Sequence, residues 1–443
     1  MTVLFQYIKT LIKQLPRHWV VASSAWISKV IVSLVQIVTI RTLLSYLGEE
    51  RYAIYVIAFS LTLWFNLVDF GLGFSLQNFI SESRAKKESY EKYIIATLQI
   101  IVPLLAIVLL AITLISSHVQ EIIFRNFTFI QEVQNVNIVL FVGIICAATA
   151  VLSIAYRVYY ALHKGYIPNI MPAIAAIISM FFIVLFNRYS PLRCSILSAL
   201  LIFTLPQLLL ALIPFIIIFK DYFSKTLNFN FEVIKSLFTR SLKFYGISIL
   251  GLAYMQTDYL VMSQTLNSSE IVKYNIFSRV FMFFTFVHIT MMQAIWPISA
   301  EMFIRMEFIK IKIIIKKCIR ALAIFIALGA ISIMFFANFI IKVLAPGLNI
   351  DPPLSLIALL GLYTFLLAWQ NTFAILLQSM NVLRIFWIYL PPMVAINVLF
   401  QYFMSKKYGA EGIVLGLITS MILMSFWVLP AKVYSIINKR KIR

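Results

Sequence analysis

Residues 46–87 read YLGEERYAIYVIAFSLTLWFNLVDFGLGFSLQNFISESRAKK. The charged turn GEER at 48–51 opens an apolar run over 52–78, broken by a single acid, Asp69, and closed by the basic SESRAKK. At 1.5 Å per residue a run of that length crosses the ~30 Å hydrocarbon layer of a bilayer. It is continuously apolar instead of alternating, as a barrel strand would be, so it predicts a helix that satisfies its own backbone hydrogen bonds in lipid.

The pattern repeats along the whole chain, predicting spans near 19–44, 52–78, 93–116, 136–161, 168–187, 195–219, 244–266, 273–298, 320–344, 354–378, 385–404 and 412–434. The pause at 117–135 and the pair Pro391 and Pro392 are the places where a boundary is hardest to read. Composition agrees. Of 443 residues, 62% are hydrophobic and 12% charged, against about 25% charged in soluble domains. The fold class expected is all-α: a polytopic membrane protein of about 12 transmembrane helices, in two six-helix lobes around a central cavity. The lobes are 1–219 and 244–443, joined by a cytoplasmic linker over 220–243.

The net charge of +21 would suggest nucleic acid in a soluble protein. Here the basic residues sit in short loops between apolar runs, so the bilayer is the expected partner and nucleic acid is not. They crowd alternate loops: Arg84, Lys86, Lys87 and Lys92, then Arg157 and Lys164, then Lys220, Lys225, Lys235, Arg240 and Lys243, then Arg305 through Arg320. Intervening loops carry few, such as Arg125 and Lys342. The positive-inside rule then puts both termini in the cytoplasm. The N-terminal MTVLFQYIKTLIKQLPRHW is basic and amphipathic and leads into the first span without a cleavable signal. Cys146, Cys194 and Cys318 are scattered, so no disulfide framework or metal cluster is expected. No cofactor is expected either.

Catalysis is the weaker class. Outward loops are short, phosphate-binding and hydrolase motifs are absent, and His18, His118, His163 and His288 lie on different segments. Chemistry concentrates instead on charges inside apolar spans, which are costly and usually face a lumen or a partner. Ala25, Lys29, Ser33 and Gln36 share one face of the first span, reading as cavity wall; snorkelling of Lys29 is the alternative. In the second, Asn66, Asp69, Gly73 and Gln77 form a polar face, with Gly71 and Gly73 softening the helix. Asp69 either partners Lys29 or holds packing. Asp258 lies mid-span in the seventh, and Asn275, Arg279, Thr290 and Gln293 share a face of the eighth. Asp258 and Arg279 would pair across an empty cavity or form a permanent ion pair. Lys29, Gln36, Arg279 and Gln293 are therefore the candidate substrate contacts, and Asp69 and Asp258 the candidates for ion coupling or gating. Gln370, Asn371 and Gln378 read as interhelical hydrogen bonds, and Pro103, Pro206, Pro214 and Pro297 as kinks. A positive wall selects an anion, and the planar fork of arginine suits phosphate.

A faint echo links the halves. LGEERYAIY (47–55) and ISES (80–83) correspond to LNSSEIVKYNIF (266–277) and ISAE (298–301), as repeated halves of transporters do. The stretch 46–87, with its YLG turn, D-x-G-x-G at Asp69–Gly73 and basic loop, resembles the opening of Wzx-type polysaccharide flippases. These belong to the multidrug/oligosaccharidyl-lipid/polysaccharide exporter superfamily. QTDYLVMSQTLNSSEIVKYNIFSRVF (256–281) and IWPISAEMFIR (295–305) resemble their seventh and eighth spans. The resemblance implies two lobes that open alternately to each side of a bacterial inner membrane. It implies as cargo an undecaprenyl-diphosphate-linked oligosaccharide for O-antigen or capsule, moved without covalent chemistry. It also implies as partners a polysaccharide polymerase and a chain-length regulator, and a proton or sodium gradient coupled through Asp69 and Asp258. The rival readings are a multidrug/cation antiporter of the same superfamily and a membrane polymerase or ligase acting on lipid-linked sugars.

Overall fold

The computed structural model describes residues 17–127, 131–189, 195–227, 230–346, 351, 353–380, 382 and 384–439. The amphipathic start up to Pro16, Arg193, Cys194 and the basic tail from Arg440 lie outside the described residues, as do the side chains of Thr290, Gln293 and Pro297. Every regular element among the described residues is helical.

The chain opens with α1 (Arg17–Phe65), whose two rods meet at Gly48, where φ is 71°. An added Cβ there would meet nothing within 4 Å, so glycine serves the left-handed turn itself and not a tight contact. A 3₁₀ turn over Asn66–Asp69 and left-handed Phe70 and Gly71 follow before α2 (Leu72–Ala85) begins. The predicted second span is thus two helices with a break at Asp69. Next come α3 (Glu91–Ile123), α4 (Ile138–Leu152), α5 (Ile154–Ala161), α6 (Tyr166–Tyr189) and α7 (Ile196–Phe219). Residues 231–243 of the expected linker are already the first turns of α8 (Phe231–Thr265). Then follow α9 (Ser268–Ile304), α10 (Phe308–Phe335), α11 (Ala337–Leu344), α12 (Leu354–Ser379), α13 (Arg384–Ser420) and α14 (Phe426–Lys439). Helix α13 runs through Pro391 and Pro392 and turns at Gly409 (φ 59°); α3 and α7 likewise continue through Pro103, Pro206 and Pro214.

Eight helical stretches among the described residues are long and apolar enough to cross a membrane, two of them, Ser23–Asp69 and Arg384–Asn438, of double length. Their surfaces are apolar where no protein covers them: Leu114 is 69% exposed and Phe335 82%. Such belts are stable only against lipid. The protein is an all-α, multi-pass membrane protein.

The helices form two compact units, 1–47 with 58–249 and 48–57 with 250–443. In the first unit Leu72, Leu76 and Ile80 of α2 pack with Ile94, Leu98 and Ile101 of α3 and with α4, α5 and α7. Ala147, Ala150, Ala155 and Ala161 let those backbones approach closely. In the second unit Leu322, Ile326 and Ala368 join α10 to α12 beneath Phe284 and Phe365. Gly329 is the position against which the Phe284 ring lies.

Candidate functional site

In the first unit the packed line of α1 runs through Ser24, Ser28, Val35, Thr39 and Leu43. At about 100° per residue, Ile27 and Leu34 fall on one flank of that line, and both are exposed. Lys29, Ser33 and Gln36 fall on the other; Lys29 is exposed, Ser33 and Gln36 half-buried. The polar stripe is therefore separate from both the packed line and the apolar flank.

Asp69 sits at the break. Its carboxylate accepts from the amides of Gly71 (2.9 Å) and Gly73 (3.3 Å), capping the donors that the first turn of α2 leaves open. The charge of Arg157 on α5 also acts on it, a neighbour that the sequence does not suggest beside its two readings, Lys29 or packing. Lys/Arg asymmetry alone puts this arginine with the cytoplasmic loop residues. It instead lies within α5, whose buried face is Ile154, Ala155, Val158 and Ala161 and whose other face carries Tyr156, Arg157 and Tyr160. Its position four residues before the end of the predicted span was the signal available. From there hydrogen bonds lead on: Tyr160 hydroxyl to Asn169 Oδ1 (2.7 Å), and Asn169 Nδ2 to Val21 O (2.9 Å) and Ser24 Oγ (3.2 Å). Polar groups of α1, α5 and α6 thus form one continuous line.

The remainder of α2 is held by α8. Ser75 Oγ donates to Leu237 O (3.1 Å), and Arg240 grips Glu82 with two hydrogen bonds of 2.6 and 3.0 Å. That arginine also lies over Phe79, 4.7 Å from the ring centroid. It holds the Glu82 carboxyl below its ordinary value of 4.5. Phe70 meets Tyr245 and Phe74 meets Phe244. At Gly71 a Cβ would lie 2.6 Å from Ser241 O, so the two backbones touch.

In the second unit α8 and α9 form a hairpin. Asp258, 6% exposed, accepts from the Tyr274 hydroxyl (2.5 Å) at one oxygen and from the Tyr259 amide (2.9 Å) at the other. Asn275 donates to the Tyr259 hydroxyl (3.1 Å) and accepts from Tyr52 (2.9 Å). Arg279, about one turn further along α9, exerts its charge on Tyr52 and Tyr259. The echoed segments around Tyr52 and Tyr274, which the sequence offers only as a sign of repeated halves, meet in one unit, and Glu270 pins the Gly409 turn by accepting from the Ala410 amide (3.0 Å). Beside this network an apolar groove of about 400 Å³ runs between α8 and α13, lined by Val261, Val398, Leu399 and Phe403 among others. His288 and Thr372 lie 3.3 Å apart deeper between α9 and α12.

A family model described as "Polysaccharide biosynthesis protein" matches residues 21–303, more than half of the chain. The chain belongs to that polysaccharide biosynthesis family. The region matched holds the whole of the Asp69 cluster and the Asp258 hairpin. A Salmonella typhi protein named as an O-antigen transporter is 33% identical over 94% of this chain and 96% of its own length. A Yersinia pseudotuberculosis protein named as an O-antigen export protein is 32% identical over 96% and 98%. In fold, this family member resembles an inward-facing multidrug resistance MATE family transporter of the MOP superfamily (TM-score 0.69, 15% identity, 91% and 95% of the two chains). It equally resembles the lipid II flippase MurJ in an inward closed conformation (TM-score 0.68, 15% identity, 93% and 87%).

Proposed function

We propose that this protein is a flippase. It moves undecaprenyl-diphosphate-linked oligosaccharide units from the cytoplasmic to the outer leaflet for O-antigen or capsular polysaccharide, by alternating access. The observation that carries this reading is similarity over nearly the full length to relatives named for O-antigen transport and export. The polar stripe of Lys29, Ser33 and Gln36 supports it, because an exposed lysine beside two hydrogen-bonding side chains suits a water-lined wall better than hydrocarbon. Lys29, Gln36, Arg279 and Gln293 contact the cargo in this reading, the cations taking the diphosphate. Asp258, buried on hydroxyl and amide donors, is the coupling site; Asp69 holds the broken helix that frames the wall. The protein works without covalent chemistry, in the bacterial inner membrane with both termini cytoplasmic, beside a polymerase and a chain-length regulator.

The fold is also that of drug transporters, so the test must separate cargoes. In cells lacking this protein, lipid-linked units should accumulate on the cytoplasmic leaflet, shielded from a membrane-impermeant periodate or lectin probe. Accumulation on the outer leaflet would indicate polymerisation instead, and unchanged units together with lost drug efflux would indicate an antiporter.

A further inference from the structure

Arg157 lies inside a span, and its surroundings in the first unit are closely specified. Its stem passes over Gly73, where an added Cβ would fall 2.9 Å from Arg157 Cγ and 3.0 Å from Asp69 Oδ2. Glycine is thus what allows the arginine and the aspartate to share that corner. The guanidinium carbon sits 3.8 Å from the centroid of Phe74. Phe74 stacks at 5.9 Å with Phe244, and Phe70 meets Tyr245 at 4.7 Å. The cluster is open on one side: Phe74 is 39% exposed, and Asp69, Arg157, Phe244 and Tyr245 are half-buried. Half-exposed charges turned toward hydrocarbon would cost several kcal/mol, so the open side faces water.

The charge balance decides what such a surface suits. Asp69 acts directly on Arg157, so the pair attracts a free anion far less than an isolated arginine would. What it offers is a planar fork of donors, a carboxylate acceptor beside it, and aromatic faces. That combination complements a ring with hydroxyls around its edge and C–H groups on its face.

We propose that Arg157 and Asp69, with the rings of Phe74, Phe244 and Tyr245, form a sugar-binding subsite that takes a pyranose ring of the cargo. The proposal rests on the flippase reading and adds where the sugar is held, apart from the diphosphate. Arg157, seated on the Phe74 ring, donates to hydroxyl oxygens, Asp69 accepts from a hydroxyl, and Phe244 and Tyr245 cover the apolar face.

The test uses the full-length protein in nanodiscs with two probes, undecaprenyl diphosphate and the same lipid bearing one pyranose. Binding of each is measured by native mass spectrometry. The quantity read is the ratio of the two affinities, in wild type, Arg157→Lys and Phe244→Ala, each first checked for an intact melting transition. Arg157→Lys keeps the charge and loses the fork. The sugar-dependent ratio should fall about tenfold in Arg157→Lys, the worth of one charge-assisted hydrogen bond, and about threefold or more in Phe244→Ala, which loses a ring face. A ratio equal to wild type in both variants overturns the proposal, including the case where both probes weaken together, which would mark a diphosphate contact. A wild type that binds neither probe overturns the flippase reading as well.

Discussion

Asp69 sits where a helix stops, and Asp258 sits where one continues. At the break, left-handed Phe70 and Gly71 free the first amides of α2, and the backbone itself supplies the donors for Asp69. Within α8, backbone amides are mostly spent on carbonyls four residues back. Asp258 therefore has one backbone donor, the adjacent Tyr259 amide, and takes its other from the adjoining hairpin helix, through Tyr274. One acid is held by local geometry and tolerates a half-open setting. The other is held by a long-range contact and is sealed. In the flippase proposal the first is therefore the positioning residue and the second the one assigned to proton or cation linkage, where burial makes a change of charge expensive enough to drive a conformational response.

Substitutions at both ends of this contrast test it. The largest expected effect is Gly71→Ala. It combines a left-handed φ of 74° with a Cβ 2.6 Å from Ser241 O, a backbone atom that cannot step aside. More than about 2 kcal/mol should be lost, read as a collapse of folded yield and melting temperature in detergent; a wild-type melt would show that the break is not fixed. Next, Asp258→Ala should cost about 1–3 kcal/mol, because it leaves the Tyr274 hydroxyl buried without its acceptor. Adding Tyr274→Phe should recover part of that loss, since the two partners are coupled. Strict additivity in the double variant would contradict the bond.

Asp69→Ala should cost about 1 kcal/mol, the usual worth of a helix cap, and Asp69→Asn should restore most of it through its amide oxygen. Equal loss for alanine and asparagine would mean that charge toward Arg157 matters more than capping. The smallest effect is at the α2–α8 ion pair. Arg240→Gln should cost less than about 1 kcal/mol, because the Glu82 side chain is half exposed. The folded-state carboxyl titrates below 4.5, so its contribution is complete above that pH and disappears as pH falls through the depressed value. Melting temperature against pH should lose that acidic slope in Glu82→Gln, and an unchanged slope would remove the pair from the account.

The fold was legible because lipid leaves so few choices. Apolar runs of 20 or more residues must be helices, and the sequence marks their ends with Gly48, the SESRAKK loop and Gly409. The polar clusters were harder. Asp69 was found as a charge in a span, but its partner was not, because charge spacing on one helix says nothing about which neighbour faces it. Arg157 was set aside as a loop residue by a count that rewards basic residues near span ends. On α8 and α9 the sequence placed Asp258 and Arg279 on facing helices and suggested an ion pair. Yet hairpin register puts residue 259 opposite 275, as the Asn275–Tyr259 bond records. That brings Tyr274 to the carboxylate. Register follows from the two-residue connection at 266–267, which hydropathy does not resolve.

Helix length has a further consequence. Helices α8 and α9 hold 35 and 37 residues, about 52 and 55 Å of rod. A hydrocarbon slab of ~30 Å leaves some 20 Å of each in the headgroup region or beyond it. Rods with that overhang can tilt or shift along the membrane normal without drawing their polar ends into lipid. By contrast, α6 has 24 residues, about 36 Å, and little slack. In α6 the apolar stretch fills almost the whole rod, so a change in membrane thickness should be felt first there.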